Sequence, residues 1–113
     1  MEKLNSKQIK ELCKLQHKIV ISQYLISKMP LAYTNFDLDR LERDMKIRSA
    51  CEDSKEKTIE LVKEYGSEII ENTFKDNEYM KKEENRFTFE DQRQATKEVI
   101  GKELTLEEVF EKY

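Results

Sequence analysis

The sequence predicts an all-α protein, a small bundle of four to five helices with a long N-terminal helix. Two glycines and one proline in 113 residues leave few positions for the tight turns that hairpins need. Strong helix formers such as Lys, Glu and Leu are abundant, and no stretch of strand length alternates apolar and polar residues. The length fits a single helical domain over residues 1–113.

The first helix is predicted to run from the start of the chain to about Lys28. Asn5 and Gln8 have the three-residue spacing of a capping box, in which each side chain bonds the backbone of the other residue. Pro30 ends the helix, because the residue before a proline is pushed out of helical geometry. The polar residues at 34–35, a threonine and an asparagine, then cap a second helix.

The middle of the chain is predicted to form two helices. The apolar positions of the second helix change phase after Met45, which indicates a kink or an end, and a polar run then places a turn near residues 52–54. A third helix is predicted from about Lys55 to Phe74. It continues through Gly66, because the apolar period passes that position without a shift.

The C-terminal third of the sequence contains clear signals for helix starts. After a polar, partly helical connection over residues 76–86, Thr88 and Asp91 have the spacing that caps a fourth helix, and Gly101 supplies its C-terminal stop. A short fifth helix is predicted over residues 106–112. Its capping box pairs Thr105 with Glu108, and its hydrophobic staple pairs Leu104 with Val109.

The charged residues form two opposed stripes. Residues 1–30 carry six lysines and two acids, a net charge of +4, whereas residues 49–113 carry eleven basic and eighteen acidic residues, a net charge of −7. On the first helix a basic stripe lies opposite the apolar side and consists of Lys3, Lys7, Lys10, Lys14 and Lys18. On the third predicted helix an acidic stripe consists of Glu56, Glu60, Glu64, Glu68 and Glu71. The stripes can face solvent as ordinary polar faces, pair within one chain, or pair across a dimer.

The first helix is apolar on every side over residues 20–26. Ile21 and Leu25 continue the sector of the basic stripe, and Tyr24 lies between them. A helix segment of this kind needs cover from two directions. The segment is therefore either enclosed inside the bundle or used for docking. In the second case Ile21, Tyr24 and Leu25, together with the five lysines, form a surface for a protein partner, most simply a second copy in a homodimer.

Candidate catalytic and metal-binding residues are few. His17, the only histidine, follows Cys13 by four residues, so two possible metal ligands share a helix face, but no third ligand is evident. Neither Cys13 nor Cys51 has the flanking signature of a nucleophile, and the acidic stripe lies opposite the apolar face rather than among it. We therefore expect no enzymatic activity, no cofactor, no bound metal and no small-molecule substrate.

A docking or regulatory role is the expectation that remains. Small phage and mobile-element inhibitors have this size, an analogy that depends on size alone. The alternative is a nucleic-acid-binding accessory protein whose basic stripe follows a phosphate backbone, although the net charge is −3 and no aromatic residues interleave with the lysines. The sequence has no run of about 20 apolar residues, no secretory leader pattern and no disulfide framework, so we expect a cytoplasmic protein without a membrane segment.

Overall fold

The structure is a computed structural model that describes residues 2–28 and 37–113. Within these ranges the regular structure is helical and contains no strand, which confirms the all-α prediction and the long N-terminal helix. The predictions made for Pro30 and for a cap at residues 34–35 lie outside the described residues. Helix α2, Leu38–Tyr65, has its own cap at Asp37, whose side chain accepts hydrogen bonds from the backbone N–H groups of Asp39 and Arg40.

Helix α1, Ser6–Ser27, begins at the predicted capping box. The Gln8 backbone N–H donates to the Asn5 side chain at 2.9 Å, and the Asn5 backbone N–H donates to the Gln8 side chain at 2.9 Å. These bonds satisfy backbone N–H groups that the start of a helix leaves without partners. The local sequence signal therefore sets the position of the helix start.

Helix α2, Leu38–Tyr65, is a single helix of 28 residues, so the predicted turn near residues 52–54 is wrong. The change of phase that suggested the turn has another physical cause. Ile47 and Cys51 are buried against the rest of the chain, whereas Met45 points to solvent and is 64% exposed. The helix thus carries two apolar faces, and the shift between them does not mark an end.

The predicted continuity through Gly66 is also wrong. Gly66 has φ +91° and ψ 133°, which ends α2 and places α3, Ser67–Lys75, on a new axis. A positive φ with an extended ψ is a conformation that glycine reaches and residues with a Cβ atom rarely adopt. The apolar period could not reveal this break, because it combined two different surfaces. Ile59 and Val62 are exposed on α2, whereas the apolar residues 69 and 70 of α3 pack against the core.

The C-terminal elements follow their predicted signals. The capping boxes at Thr88–Asp91 and Thr105–Glu108 are both formed, and Gly101 ends its helix in the left-handed conformation at φ +74°. The predicted polar connection over residues 76–86 contains one short helix and one 3-10 turn. The elements after α3 are α4 Asn77–Met80, the 3-10 turn Glu83–Asn85, α5 Phe89–Ile100 and α6 Leu106–Lys112.

The core consists of two apolar clusters arranged along α1. Because the first half of α1 packs on the end of α2, and the second half packs on its beginning, the two helices are antiparallel. Helix α5 packs beside them on α1. The first cluster contains Leu4, Ile9, Leu12, Leu15 and Leu61. The second contains Ile21, Leu25, Ile47, Val99 and Val109.

A network of buried hydrogen bonds attaches the residues before α1 to α3 and α4. The Leu4 backbone N–H donates to the Thr73 hydroxyl at 2.9 Å, and the Tyr79 hydroxyl donates to the Leu4 carbonyl. The buried Asn85 side chain accepts from the Ser6 hydroxyl and donates to the Tyr79 carbonyl, both at 2.8 Å. Buried polar groups are costly unless they are paired, so this network fixes the position of the α3–α4 segment.

Candidate interaction surface

Most of the predicted basic stripe is engaged within the chain. Four of its five lysines lie within 4 Å of an acidic side chain contributed by a later element. The pairs are Lys3–Asp76 at 3.2 Å, Lys10–Asp91 at 3.6 Å, Lys14–Glu98 at 2.8 Å and Lys18–Glu98 at 3.9 Å. Among the residues that the structure describes, Lys7 is the member of the stripe without such a pair. Three of these pairs connect α1 to α5, whereas Lys3 lies before α1 and contacts the residue that caps α4.

Two of these acids also start helices. Asp76 caps α4, and the Tyr79 backbone N–H together with the Lys3 ammonium holds the pKa of its carboxyl below the usual value. For Asp91, partial burial raises the pKa, but hydrogen bonds from Thr88 and the charge of Lys10 outweigh that effect, so the pKa is lowered. Both carboxylates are thus charged near neutral pH, where they serve as helix caps and as ion-pair partners.

The acidic stripe is not the partner of the basic stripe. Its five members are divided between α2 and α3 by the break at Gly66, and all five are exposed to solvent. The ion pairs that they form are local, such as Lys57–Glu60 on α2. Exposed pairs of this kind contribute about 0.2–1 kcal/mol each, so this stripe is an ordinary solvated face in the described structure.

The apolar end of α1 is enclosed by the bundle. Ile21 is fully buried and Leu25 is 4% exposed, both within the second core cluster. Tyr24 is half-buried against Phe110, with ring centroids 4.6 Å apart, and its hydroxyl donates to the Phe110 carbonyl at 3.3 Å. Of the two interpretations that the sequence left open, this placement favours enclosure. Ile21 and Leu25 cannot contact a partner unless the bundle opens.

His17 is a buried structural residue. Its Nε2 lies 2.9 Å from the Thr96 hydroxyl, which is also within hydrogen-bond distance of the Gln92 carbonyl. Burial lowers the pKa of His17, and the Gln92 carbonyl offsets this only in part. Burial, assisted by Asp91, raises the pKa of the Cys13 thiol and so keeps it protonated. Over residues 2–28 and 37–113, no three His, Cys, Asp or Glu side chains are grouped to hold a metal ion.

An apolar strip lies exposed along α2, and the sequence analysis missed it. We define the outer face of α2 by Leu38, Leu41, Met45, Ile59 and Val62. Leu38, Met45 and Ile59 are 67%, 64% and 55% exposed, Val62 is 37% exposed and Leu41 is half-buried. The core-facing residues Ile47 and Leu61 are at most 5% exposed. The signal was present in the sequence, since Leu38, Met45 and Ile59 are separated by multiples of seven residues. The predicted turn near residues 52–54 divided the strip and hid it.

The outer face follows a heptad repeat. If Leu38 is taken as position a, the 28 residues of α2 form four heptads. The a and d positions are apolar in the first and last heptads and mostly polar in the middle two, where Met45 is followed by Arg48, Glu52 and Lys55. The buried residues Asp44, Ile47 and Cys51 occupy positions c and g instead. Helix α2 therefore presents one seam to α1 and a second seam to solvent.

Comparisons of the chain with known protein families, with curated proteins and with solved structures found no match. None of the helices in the described ranges combines the length and the apolar character that crossing a bilayer requires. The interpretation of function therefore depends on the geometry of this chain and on the chemistry of its exposed side chains.

Proposed function

We propose that this chain is a non-enzymatic helical interaction module that binds a protein partner through the outer face of α2. The observation that carries the proposal is the exposure of three large aliphatic side chains, Leu38, Met45 and Ile59, in line along one 28-residue helix. Full burial of one such side chain is worth about 1.5–3 kcal/mol, and aligned apolar side chains on a polar surface are typical of interaction sites. A partner helix with its own apolar strip would cover these side chains and remove them from water.

The engaged lysines support this choice over nucleic-acid binding. A lysine that already contacts a carboxylate neutralises a phosphate less completely, so fewer counterions leave the nucleic acid and the basic stripe gains less from that contact. Lys14 and Lys18 share Glu98, and Lys10 contacts Asp91. Nucleic-acid binding through the stripe remains the alternative, and it predicts a salt dependence with a slope of about −4 if about four lysines contact phosphates.

The state of the candidate chemical groups supports a non-enzymatic role. His17 is buried and hydrogen-bonded inside the bundle, and the Cys13 thiol is kept protonated by burial. Neither group is disposed to transfer a proton or attack a substrate in this arrangement. Cys13 and Cys51 are both free thiols, and free thiols are typical of a reducing compartment, so we propose that the module acts in the cytoplasm.

Position-specific photo-crosslinking in cells of the native host tests the proposal. A photoreactive phenylalanine analogue is placed at Met45, on the outer face, and in a separate variant at Asp53, an exposed position of the same helix outside that face. We expect a protein adduct from position 45 and a much weaker one from position 53. Equal labelling at both positions, or no protein adduct from position 45, would show that the outer face is not a binding surface.

A further inference from the structure

We propose that the partner is a second copy of this chain, with the two α2 helices antiparallel. The two-fold axis crosses the outer faces at the height of residue 50 along the helix. This inference rests on the proposed function and names the partner of the same surface. In an antiparallel pair of helices, each a position lies opposite a d position of the other helix. The heptads of α2 are arranged so that this pairing is complementary at every layer.

The layers follow from the residue numbers. With the axis at residue 50, residues whose numbers add to 100 lie at the same height along the two helices. Leu38 then faces Val62 of the second copy, and Leu41 faces Ile59. The same two contacts recur at the other end, because a two-fold interface repeats every contact. The apolar ends of the outer face therefore cover one another.

The polar middle of the outer face is complementary in the same register. In this register Arg48 faces Glu52 of the second copy. Met45 faces Lys55, whose aliphatic stem can pack on the thioether while its ammonium keeps the 3.7 Å contact with Glu52 of its own chain. The Arg48 Nε donates to the buried Asp44 carboxylate at 2.9 Å, which restrains the position of the guanidinium. Arg48 and Glu52 carry opposite charges, so this layer of the antiparallel pair is complementary in charge.

A parallel pair of the same helices would be repulsive. In a parallel pair each a position faces itself, and each d position faces itself. Arg48, Glu52 and Lys55 would then each meet an identical charge. Like charges placed opposite one another are destabilising, so the polar middle selects the antiparallel orientation while the apolar ends provide the attraction.

The extent of the outer face indicates a weak, reversible dimer. From Leu38 to Val62 the strip is about 36 Å long at 1.5 Å per residue, and a strip about 10 Å wide covers about 360 Å² per chain. Stable complexes bury about 800 Å² per partner, so association is expected at tens to hundreds of micromolar protein. The dimer should therefore be studied across that range of concentrations.

Disulfide trapping tests the register directly. In the double variant Met45→Cys/Lys55→Cys, the new thiol at position 45 of one copy lies opposite the new thiol at position 55 of the other copy. Mild oxidation should therefore yield covalent dimers joined between positions 45 and 55. The single variants are the matched controls. In each of them the two new thiols of a dimer would be separated by 10 residues of rise, about 15 Å, which no disulfide can span. Peptide mapping separates these products from bonds that involve Cys13 or Cys51.

Sedimentation equilibrium supplies an independent reading that does not need new thiols. The wild-type mass should rise with concentration from 13.6 kDa toward twice that value. Glu52→Arg places two arginines against each other and should weaken association at least about tenfold. The matched control Asp53→Arg makes the same charge change one residue away, outside the outer face, and should leave association unchanged.

The outcomes separate this inference from the proposed function. Covalent dimers joined between positions 45 and 55, together with single variants that form no such dimers, would establish the antiparallel register. Dimers of the Met45→Cys single variant joined between two copies of position 45 would show a parallel pair and overturn the inference. A mass of 13.6 kDa at every concentration would overturn it as well. In that case a photo-adduct from position 45 to a different protein would still support the proposed function.

Discussion

Replacing Gly66 with alanine should destabilise the protein, although the same change inside a helix is ordinarily stabilising. Gly66 has φ +91° and ψ 133°, and an added Cβ atom would meet no heavy atom within 4 Å. The free-energy cost of Gly66→Ala therefore comes from the backbone conformation and not from contacts with neighbouring atoms. Backbone conformations of this kind cost about 1–3 kcal/mol when the residue carries a Cβ atom.

Thermal denaturation followed by circular dichroism measures this effect. In a domain of about 100 residues, 1 kcal/mol shifts Tm by about 4–8 °C, so Gly66→Ala should lower Tm by at least about 4 °C. If α2 and α3 instead formed one continuous helix, as the apolar period predicts, alanine would stabilise the protein by about 0.5–1 kcal/mol. The two structures thus differ in the sign of the change in Tm.

Gly101 provides the control for this measurement. It ends α5 at φ +74° in the left-handed conformation, and both the sequence pattern and the structure assign it that role. Gly101→Ala should therefore lower the stability by about 1–2 kcal/mol. A raised Tm for Gly66→Ala, alongside a lowered Tm for Gly101→Ala, would refute the break between α2 and α3.

Three further variants test the buried and ion-paired groups, each by urea denaturation. Because burial lowers the pKa of His17 below 6.5, the unfolded chain binds a proton before the folded chain does as the pH falls. The free energy of unfolding of the wild type should therefore decrease as the pH falls from about 7.5 to about 5.5, and it should decrease less in His17→Gln. An unchanged pH dependence would argue against a neutral, buried His17. Thr73→Val leaves the buried Leu4 N–H without an acceptor and should cost about 1–3 kcal/mol, and a neutral result would show that this hydrogen bond is not formed. Glu98→Gln removes the acid shared by two lysines of the basic stripe and should cost at most about 1 kcal/mol, because the groups are partly exposed. A loss that persists in high salt would contradict an ion-pair origin.

The sequence predicted those features that depend on residues close together in the chain. The capping boxes at Asn5–Gln8, Thr88–Asp91 and Thr105–Glu108 formed where they were predicted, and so did the stop at Gly101. Each of these signals is complete within about four residues, since the groups that satisfy a helix end are contributed by its own first or last turn. Tertiary packing did not override them.

The features that the sequence analysis missed depend on more distant residues. The apolar positions of α2 serve two faces, and a single periodicity could not distinguish two faces from two helices. Whether Ile21 and Leu25 face a partner or the core depended on the packing of α2 and α5 over them. The acids that engage the basic stripe come from the cap of α4 and from α5 rather than from the acidic stripe, and charge patterning along one helix does not contain that information.

The outer face of α2 also changes how the stability of the chain should be understood. The core is divided into two modest clusters, and large aliphatic side chains remain in water along α2. Association that covers the outer face adds stability by mass action, because the partner binds the folded chain and not the unfolded one. Tm should therefore rise with protein concentration in the wild type, and should rise less in Glu52→Arg.

Hydroxyl-radical footprinting of Met45 tests the central claim most directly, namely that the outer face of α2 is open in the single chain and covered in the complex. Met80 is the internal reference, because it packs against the first core cluster and should react slowly at every concentration. We expect Met45 to be oxidised rapidly in dilute protein and to be progressively protected as the concentration reaches hundreds of micromolar. Slow oxidation of Met45 in dilute protein would show that the chain covers this face itself. Rapid oxidation at every concentration would show that no second copy covers it.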